Sequence, residues 1–242
     1  MRARIAIVGV AAVAVAVFLV TVPAFRHFFD LGVYRGAVRF WLLDGGDLYG
    51  FRYQGTEYGF TYPPFAALVL SPLALTPWPV AVAASLVLNA GAVVLLLRWF
   101  LPRGRFFLAL AFLAVLVYEP ARDTFSFGQV NLVLLVLVCA DLRALVRGGR
   151  WAGIGIGIAT AIKLTPAVFV AYLIVTRRYR AAAVAAGTSA AATVLGVLIA
   201  PDASRTFWTS AVWDADRVGK LAYVSNQSLR GVVARLDAEA VW

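Results

Sequence analysis

The sequence predicts an all-α polytopic membrane protein, and two observations carry this prediction. Hydrophobic residues make up 62% of the 242 residues and charged residues only 14%, and the mean hydropathy is +0.85. The apolar residues also form unbroken runs of about 20, the length that an α-helix needs to cross the hydrocarbon core of a bilayer. A water-soluble core cannot hide so many such runs, whereas a bilayer requires them.

The net charge and the rare residue types limit the partners and ligands that the protein can bind. The formal charge of +10 comes from Lys and Arg in short segments between apolar runs. Basic segments beside a bilayer fix topology and contact anionic lipids, so the charge indicates membrane lipids rather than nucleic acid. The single cysteine, Cys139, excludes an intrachain disulfide and a cysteine-cluster metal site, and the single histidine, His27, has no ligand partners. The sequence therefore predicts no metal site and no cofactor.

Seven complete spans are predicted, in one transmembrane domain over residues 1–242. The first has the form of a signal peptide, but residues 21–24 are a poor cleavage site, so we interpret it as an uncleaved span. Prolines split the stretch 63–97, which would be ~50 Å long as one helix. The spans are residues 5–24, 63–76, 79–97, 106–118, 129–146, 151–175 and 181–199. An eighth begins near Ser228, which indicates a truncated chain.

The positive-inside rule orients these spans. With Arg2 and Arg4 in the cytoplasm, the loops 25–62 and 200–227 face the extracytoplasmic side and residues 177–180 face inward. The same count leaves the arginines of residues 98–105 and 143–150 outside, against the rule. The short spans 63–76 and 106–118 are therefore candidates for re-entrant segments. The predicted location is the plasma membrane.

Asp30 is the candidate catalytic residue. It emerges one or two helical turns past the first span, where a lipid-linked substrate presents its head group. Apolar neighbours at near-helical spacing predict a short amphipathic helix on the membrane surface, which would raise the pKa of the carboxyl by partial burial. Helix N-capping is an equal alternative. The nearby acids Asp44 and Asp47 flank two glycines and indicate a tight turn.

Three polar residues interrupt the predicted spans. Lys163 costs roughly 2.5 to 3.5 kcal/mol within hydrocarbon, so a functional role such as binding a lipid phosphate is expected, with a snorkelling or paired lysine as the alternative. The amides of Gln129 and Asn131 need partners on neighbouring helices or in a cavity. The span count places these two amides toward the cytoplasm, away from Asp30.

The last loop combines cationic, amide and aromatic side chains. Guanidinium groups bind phosphate oxygens and aromatic faces stack on sugars, so the mixture is typical of sugar-phosphate recognition. An aromatic belt with ordinary interfacial charges is an equal alternative. The candidate polar residues are Arg217, Lys220, Asn226 and Gln227.

Six blocks occur in a fixed order along the chain: DLGVYRGA (30–37), YPPFAALVLSPL (62–73), GQVN (128–131), IKLTP (162–166), RRYR (177–180) and RVGKLAYVSNQSL (217–229). Together they resemble the polyprenol-phosphate-mannose-dependent α-1,2-mannosyltransferases of glycosyltransferase family 87. The resemblance covers the amino-terminal part of the family pattern. It implies a GT-C type helical bundle whose extracytoplasmic first loop carries short interfacial helices.

The resemblance also implies an inverting transfer of mannose from a polyprenyl-phosphate donor to a hydroxyl of an envelope glycolipid or lipoglycan. The role of general base carries over to Asp30, which would take the acceptor proton, while Lys163, Arg217 or Lys220 would stabilise the leaving phosphate. The implied substrate and donor-phosphate contacts are Tyr62, Gln129, Asn131, Lys163, Arg217, Lys220, Asn226 and Gln227.

Two other classes of protein remain open at this point. A transporter or flippase for a lipid-linked sugar would use Lys163 and Gln129 to line its path. A catalytically inactive fragment would act only as a membrane scaffold. A glycosidic product distinguishes the transferase from both.

Overall fold

The computed structural model describes the whole chain except residues 102–103, 215–216, 218–221, 223–227 and 238–242. All regular secondary structure in the described residues is helical, as the sequence predicts. The helices are α1 (Arg2–Thr21), α2 (Phe29–Leu42), α3 (Pro64–Leu70), α4 (Trp78–Phe100), α5 (Arg105–Val117), α6 (Glu119–Phe127), α7 (Asn131–Val146), α8 (Ile154–Ile162), α9 (Ala167–Val175), α10 (Tyr179–Ile199), α11 (Pro201–Thr206) and α12 (Leu229–Asp237).

Three helices of the described chain are long and apolar enough to span a membrane. They are α1 with 20 residues, α4 with 23 and α10 with 21, and they coincide with the predicted spans 5–24, 79–97 and 181–199. At about 1.5 Å per residue each reaches roughly the 30 Å of a hydrocarbon core. The protein is therefore an integral membrane protein with an all-helical fold.

The remaining predicted spans are helical but shorter. The helices α3, α5 and α7 have 7, 13 and 16 residues. In the predicted span 151–175, helix α8 ends at Ile162 and α9 begins at Ala167. A continuous helix would press the ring of Pro166 against the carbonyl of Ile162, so the helix breaks there. The predicted span 151–175 is therefore not one continuous helix.

Contacts divide the chain into two units. The first unit comprises Met1–Gly32 and Leu75–Ala191, and the second comprises Val33–Ala74 and Ala192–Trp242. In the first unit, α1 packs on α5, α4 packs on α5 and α7, and α7 packs on α8. Buried Ala92, Val93 and Leu132 form a core there that fixes α4 against α7.

The second unit has an aromatic core. Its large buried side chains are Tyr34, Tyr49, Phe60, Tyr62 and Phe207. The rings of Tyr49 and Phe207 lie 5.6 Å apart, and those of Phe60 and Tyr62 lie 6.0 Å apart. These separations are typical of favourable aromatic pairs, so the loop between α2 and α3 is anchored by its own side chains.

Candidate active site

The short link from α1 to α2 is fixed by helix α6. His27 and Phe28 both have positive φ values, 52° and 54°, which non-glycine residues adopt at an energetic cost. Ser126 of α6 holds this conformation: its carbonyl accepts from the Phe28 N–H at 2.9 Å and its Oγ from the Arg26 N–H at 2.6 Å. Helix α2 starts immediately after this turn, so Asp30 lies in its first turn at a defined position.

Gly128 brings the connection between α6 and α7 against the start of α2. Its φ is +70°, and a Cβ at this position would lie 2.7 Å from the Cβ of Leu31. Both the left-handed backbone and the close approach require glycine. The next residue, Gln129, is fixed through its main chain, because the side-chain amide of Asn89 donates to the Gln129 carbonyl at 3.1 Å.

Four side chains from separate parts of the first unit form one hydrogen-bonded chain. Gln129 Nε2 donates to Asp30 Oδ2. Asn131 Nδ2 donates to Gln129 Oε1 at 2.6 Å. Lys163 Nζ donates to Asn131 Oδ1 at 2.9 Å. We refer to Asp30, Gln129, Asn131 and Lys163 as the relay. A carboxylate lies at one end and an ammonium group at the other, and the two amides connect them.

The break between α8 and α9 places Lys163 in the relay. Its backbone is extended, with φ −145° and ψ 130°, directly after α8. The ammonium group then reaches the first residue of α7, Asn131. The sequence leaves two interpretations of Lys163, a lipid-phosphate ligand or an internally paired lysine. The hydrogen bond to Asn131 is the contact that an internally paired lysine makes.

The span count that separated Gln129 from Asp30 is wrong. Residues 119–128 lie between two predicted spans, but Glu119–Phe127 form the additional helix α6. The turn at Gly128 then begins α7 beside the start of α2. The two ends are therefore adjacent in space although 99 residues separate Asp30 from Gln129.

The environment of Asp30 changes its acidity. Burial raises the pKa of its carboxyl above the ordinary 3.8, while the hydrogen bond from Gln129 and the charge of Lys163 oppose this rise. Within the described chain, the carboxylate accepts from Gln129 and from no backbone N–H. The contacts therefore match a positioned carboxylate rather than a helix cap.

The other candidate residues belong to the second unit. The hydroxyl of Tyr62 lies 2.8 Å from that of Tyr34, and its carbonyl accepts from the Tyr49 hydroxyl at 2.8 Å. Arg217 donates to the Tyr49 carbonyl, which also accepts from Arg52 at 3.1 Å. Burial and the charge of Arg52 lower the pKa of Arg217. Lys220, Asn226 and Gln227 lie outside the described residues.

Of the two acids interpreted as turn residues, Asp47 has turn contacts in the structure. Gly45, between Asp44 and Asp47, has φ +69°. The Asp47 carboxylate accepts from the Tyr49 N–H at 3.2 Å, and the Asp47 carbonyl accepts from the Gly50 N–H at 3.1 Å, so Asp47 begins a turn over residues 47–50. Asp47 therefore has local backbone contacts, whereas the carboxylate of Asp30 accepts from the distant Gln129.

Sequence reasoning missed three residues that build the site: Asn89, Ser126 and Gly128. An amide within the apolar run 79–97 was a signal for Asn89, since hydrocarbon leaves it unsatisfied. Ser126 acts through its main chain and hydroxyl on a distant link, which no local pattern indicates. The described residues contain no group of three or more His, Cys, Asp or Glu that could hold a metal ion.

An apolar cavity of about 370 Å³ adjoins the link before Asp30. It lies in the first unit, and its walls include Leu19 of α1, Phe28, Leu86 of α4 and Phe125 of α6. Arg122 contributes a cation to the wall and forms an ion pair with Asp123 at 3.4 Å. The cavity suits an apolar chain.

The fold and the relay define a class: an integral membrane protein with a half-buried, hydrogen-bonded carboxylate at the start of the helix that follows its first span. The sequence profile of glycosyltransferase family 87 matches residues 60–242, a region that begins after Asp30. The chain belongs to glycosyltransferase family 87.

Curated relatives agree with this assignment. The chain is 36% identical over 231 residues to a polyprenol-phosphate-mannose-dependent alpha-(1-2)-phosphatidylinositol mannoside mannosyltransferase of Mycolicibacterium smegmatis. The aligned region covers 86% of this chain and 52% of that protein. The chain is 38% identical over 233 residues to the protein of the same description from Mycobacterium tuberculosis, covering 86% and 53%.

A second kind of relative is similar to the same degree. A polyprenol-phosphate-mannose-dependent alpha-(1-2)-phosphatidylinositol pentamannoside mannosyltransferase of Mycobacterium tuberculosis is 36% identical over 230 residues, covering 88% of this chain and 52% of that protein. The chain thus spans about half the length of the curated relatives it matches. No solved structure matches it.

Proposed function

We propose that this chain carries the general base of an inverting mannosyltransferase. The donor is a polyprenyl-phosphate mannose, and the acceptor is a hydroxyl of a phosphatidylinositol mannoside or a related envelope glycolipid, on the extracytoplasmic face. The observation that supports this proposal is the carboxylate of Asp30, half-buried and held on one oxygen by Gln129. The activities of the curated relatives supply the sugar and the linkage.

In this mechanism Asp30 Oδ1 accepts the proton of the acceptor hydroxyl. The acceptor oxygen then attacks the anomeric carbon of mannose, and the bond from that carbon to the phosphate oxygen breaks through an oxocarbenium-like transition state. The electron pair leaves with polyprenyl phosphate, and a single displacement inverts the anomeric carbon. A raised pKa suits this role, because it makes the ionised carboxylate a stronger base.

The leaving phosphate needs cationic partners. Arg217 and Lys220 stay our proposed contacts, as the family resemblance implies, because guanidinium and ammonium groups bind phosphate oxygens well. The prenyl chain of the donor needs apolar surface, and we propose the cavity walled by Phe28 and Phe125 for its first units. Membership of family 87 favours the transferase over the transporter and the scaffold.

The first test is Asp30→Asn, assayed for transfer from labelled polyprenyl-phosphate mannose in the longest native protein that contains this sequence. Because a positioned base contributes about 10² to 10⁴-fold, we expect at least about a 100-fold loss of transfer. The matched control is Asp44→Asn, an exposed turn acid in the same loop, with an expected change within about twofold.

Two results would contradict the proposal. A well-folded Asp30→Asn protein with full activity would remove the base assignment. Consumption of a polyprenyl-phosphate pentose in preference to the mannose donor, in direct competition, would replace the proposed sugar.

A further inference from the structure

The relay has a fixed direction, and Lys163 sets it. An ammonium group only donates hydrogen bonds, so Asn131 must present Oδ1 to Lys163 and Nδ2 to its other neighbour. Gln129 must then present Oε1 to Asn131, which leaves Nε2 for Asp30. Each amide has two possible orientations in isolation, but the cation at one end selects the same orientation for both.

We propose that Gln129 and Asn131 are positioning residues that transmit the charge of Lys163 to Asp30, holding Oδ2 of an ionised carboxylate and leaving Oδ1 to take the acceptor proton. This inference rests on the proposed role of Asp30 as the general base. It assigns the two amides to the carboxylate rather than to the substrate or the donor phosphate.

The orientation matters because the opposite one would disable the base. A reversed Gln129 amide would present Oε1 to Asp30 Oδ2, so two acceptor oxygens would face each other. Such a contact is relieved only when Asp30 carries a proton and donates it, and a protonated carboxyl cannot accept another proton from the acceptor. The relay excludes this state without placing the cation itself beside the reacting oxygen.

Two other cationic groups of the first unit have contacts of their own. Arg26 lies over the ring of Phe127 at 5.5 Å, and Arg122 of α6 pairs with Asp123 at 3.4 Å. Within the described chain, Lys163 is the charged residue that perturbs the pKa of Asp30, and its effect is to lower that pKa. Weakening the relay should therefore raise the pKa of Asp30 further.

The sign of the pH effect follows from the base mechanism. Transfer requires ionised Asp30, so the rate falls as the pH drops through the pKa of that carboxyl.

Two variants test the relay at different points. Asn131→Asp keeps an oxygen for Lys163 but removes the donor to Gln129 and adds a negative charge. Lys163→Met removes the cation and keeps a long apolar side chain.

The direct measurement is the pH dependence of carboxyl modification by dicyclohexylcarbodiimide, which reacts with protonated carboxyls in apolar surroundings. The detergent-solubilised protein is labelled and the Asp30 peptide is quantified by mass spectrometry. In both variants we expect the labelling midpoint to move to higher pH, with up to about tenfold more labelling at neutral pH. The acid limb of the transfer rate should move in the same direction, with the rate recovering at high pH.

The control is Thr160→Val, which changes a buried polar side chain of α8 three residues before Lys163. Within the described chain its hydroxyl makes no hydrogen bond, and we expect no shift of the midpoint. An unchanged midpoint in both Asn131→Asp and Lys163→Met would overturn the relay. Shifted midpoints together with no mannosyl transfer by the unsubstituted protein would instead overturn the proposed function and leave the relay standing.

Discussion

At Asp30, burial and hydrogen bonding act on the carboxylate in opposite directions. Burial disfavours the charged form, while Gln129 and Lys163 favour it, and the net result is a raised pKa. The folded protein therefore binds the carboxyl proton of Asp30 more tightly than the unfolded chain does. By linkage, the free energy of unfolding falls as the pH rises from the ordinary 3.8 through the raised pKa.

This linkage predicts that Asp30→Asn increases thermal stability at neutral pH. The asparagine avoids the cost of burying a charge and can still accept from Gln129. The gain should shrink as the pH is lowered toward the ordinary carboxyl pKa, where Asp30 is protonated in both states. Thermal unfolding in detergent at several pH values measures the difference.

The control for this prediction is Asp44→Asn, whose side chain is exposed and whose melting temperature should follow that of the unsubstituted protein at every pH. A melting temperature of Asp30→Asn below that of the unsubstituted protein at neutral pH would show that the ionised carboxylate stabilises the fold.

The sequence could predict which residues in the first unit are chemically unusual, but not how they pair. Asp30 and Lys163 stand out because charge is costly in or beside hydrocarbon, and Gln129 and Asn131 because their amides need partners. Their pairing depends on the path of the chain between them. A count of spans gives the wrong path because it does not include helix α6. The role of Ser126 could not be predicted either, because it lies on α6 and contacts a link about 100 residues earlier in the chain.

At the scale of helices, the turn at Gly128 joins α6 to α7 and sets the position of Gln129. We predict that Gly128→Ala destabilises the protein by about 1 to 3 kcal/mol, because the new Cβ would be strained at φ +70° and would meet Leu31. It should also reduce transfer, since Gln129 must shift away from Asp30. Thermal unfolding and the transfer assay measure the two effects.

A matched glycine separates this effect from a general response to a larger side chain. Gly91 lies within α4 with no atom close to the position of an added Cβ, so Gly91→Ala should cause no loss of stability. Equal stability of Gly128→Ala and Gly91→Ala would mean that the turn does not need glycine.

Local signals for the unexpected helix boundaries were present in the sequence. Pro120 lies near the start of α6, where proline is tolerated, and Gly128 ends the helix in the left-handed conformation. Pro166 marks the break after α8. The nine residues of α6 have a polar face and low hydropathy, so hydropathy alone predicts a connection there rather than a helix.

At the scale of the whole molecule, the three long apolar helices establish a membrane protein, while the single domain over residues 1–242 stays a prediction. The proposed orientation places the loop 25–62 outside and residues 177–180 inside. Because the chain has one cysteine, a Cys139→Ala background gives a clean test. In intact cells, a membrane-impermeant maleimide should label Glu57→Cys but leave Arg178→Cys unlabelled.

Both positions are exposed in the structure, so a lack of labelling reports the membrane barrier rather than burial. After permeabilisation, Arg178→Cys should react to the same extent as Glu57→Cys. The reverse pattern in intact cells would place Asp30 on the cytoplasmic side and remove the proposed extracytoplasmic transfer.

The relay also has a consequence for biosynthesis. Asp30 and Lys163 lie about 130 residues apart in the chain, and synthesis at about 5 to 20 residues per second separates them by roughly 10 seconds. During that interval the first span is already made, but the carboxylate gains its amide only after 99 further residues and its cation last. The nascent protein must therefore keep Asp30 hydrated or protonated at the membrane surface, and the site is completed only when the link after α8 has emerged.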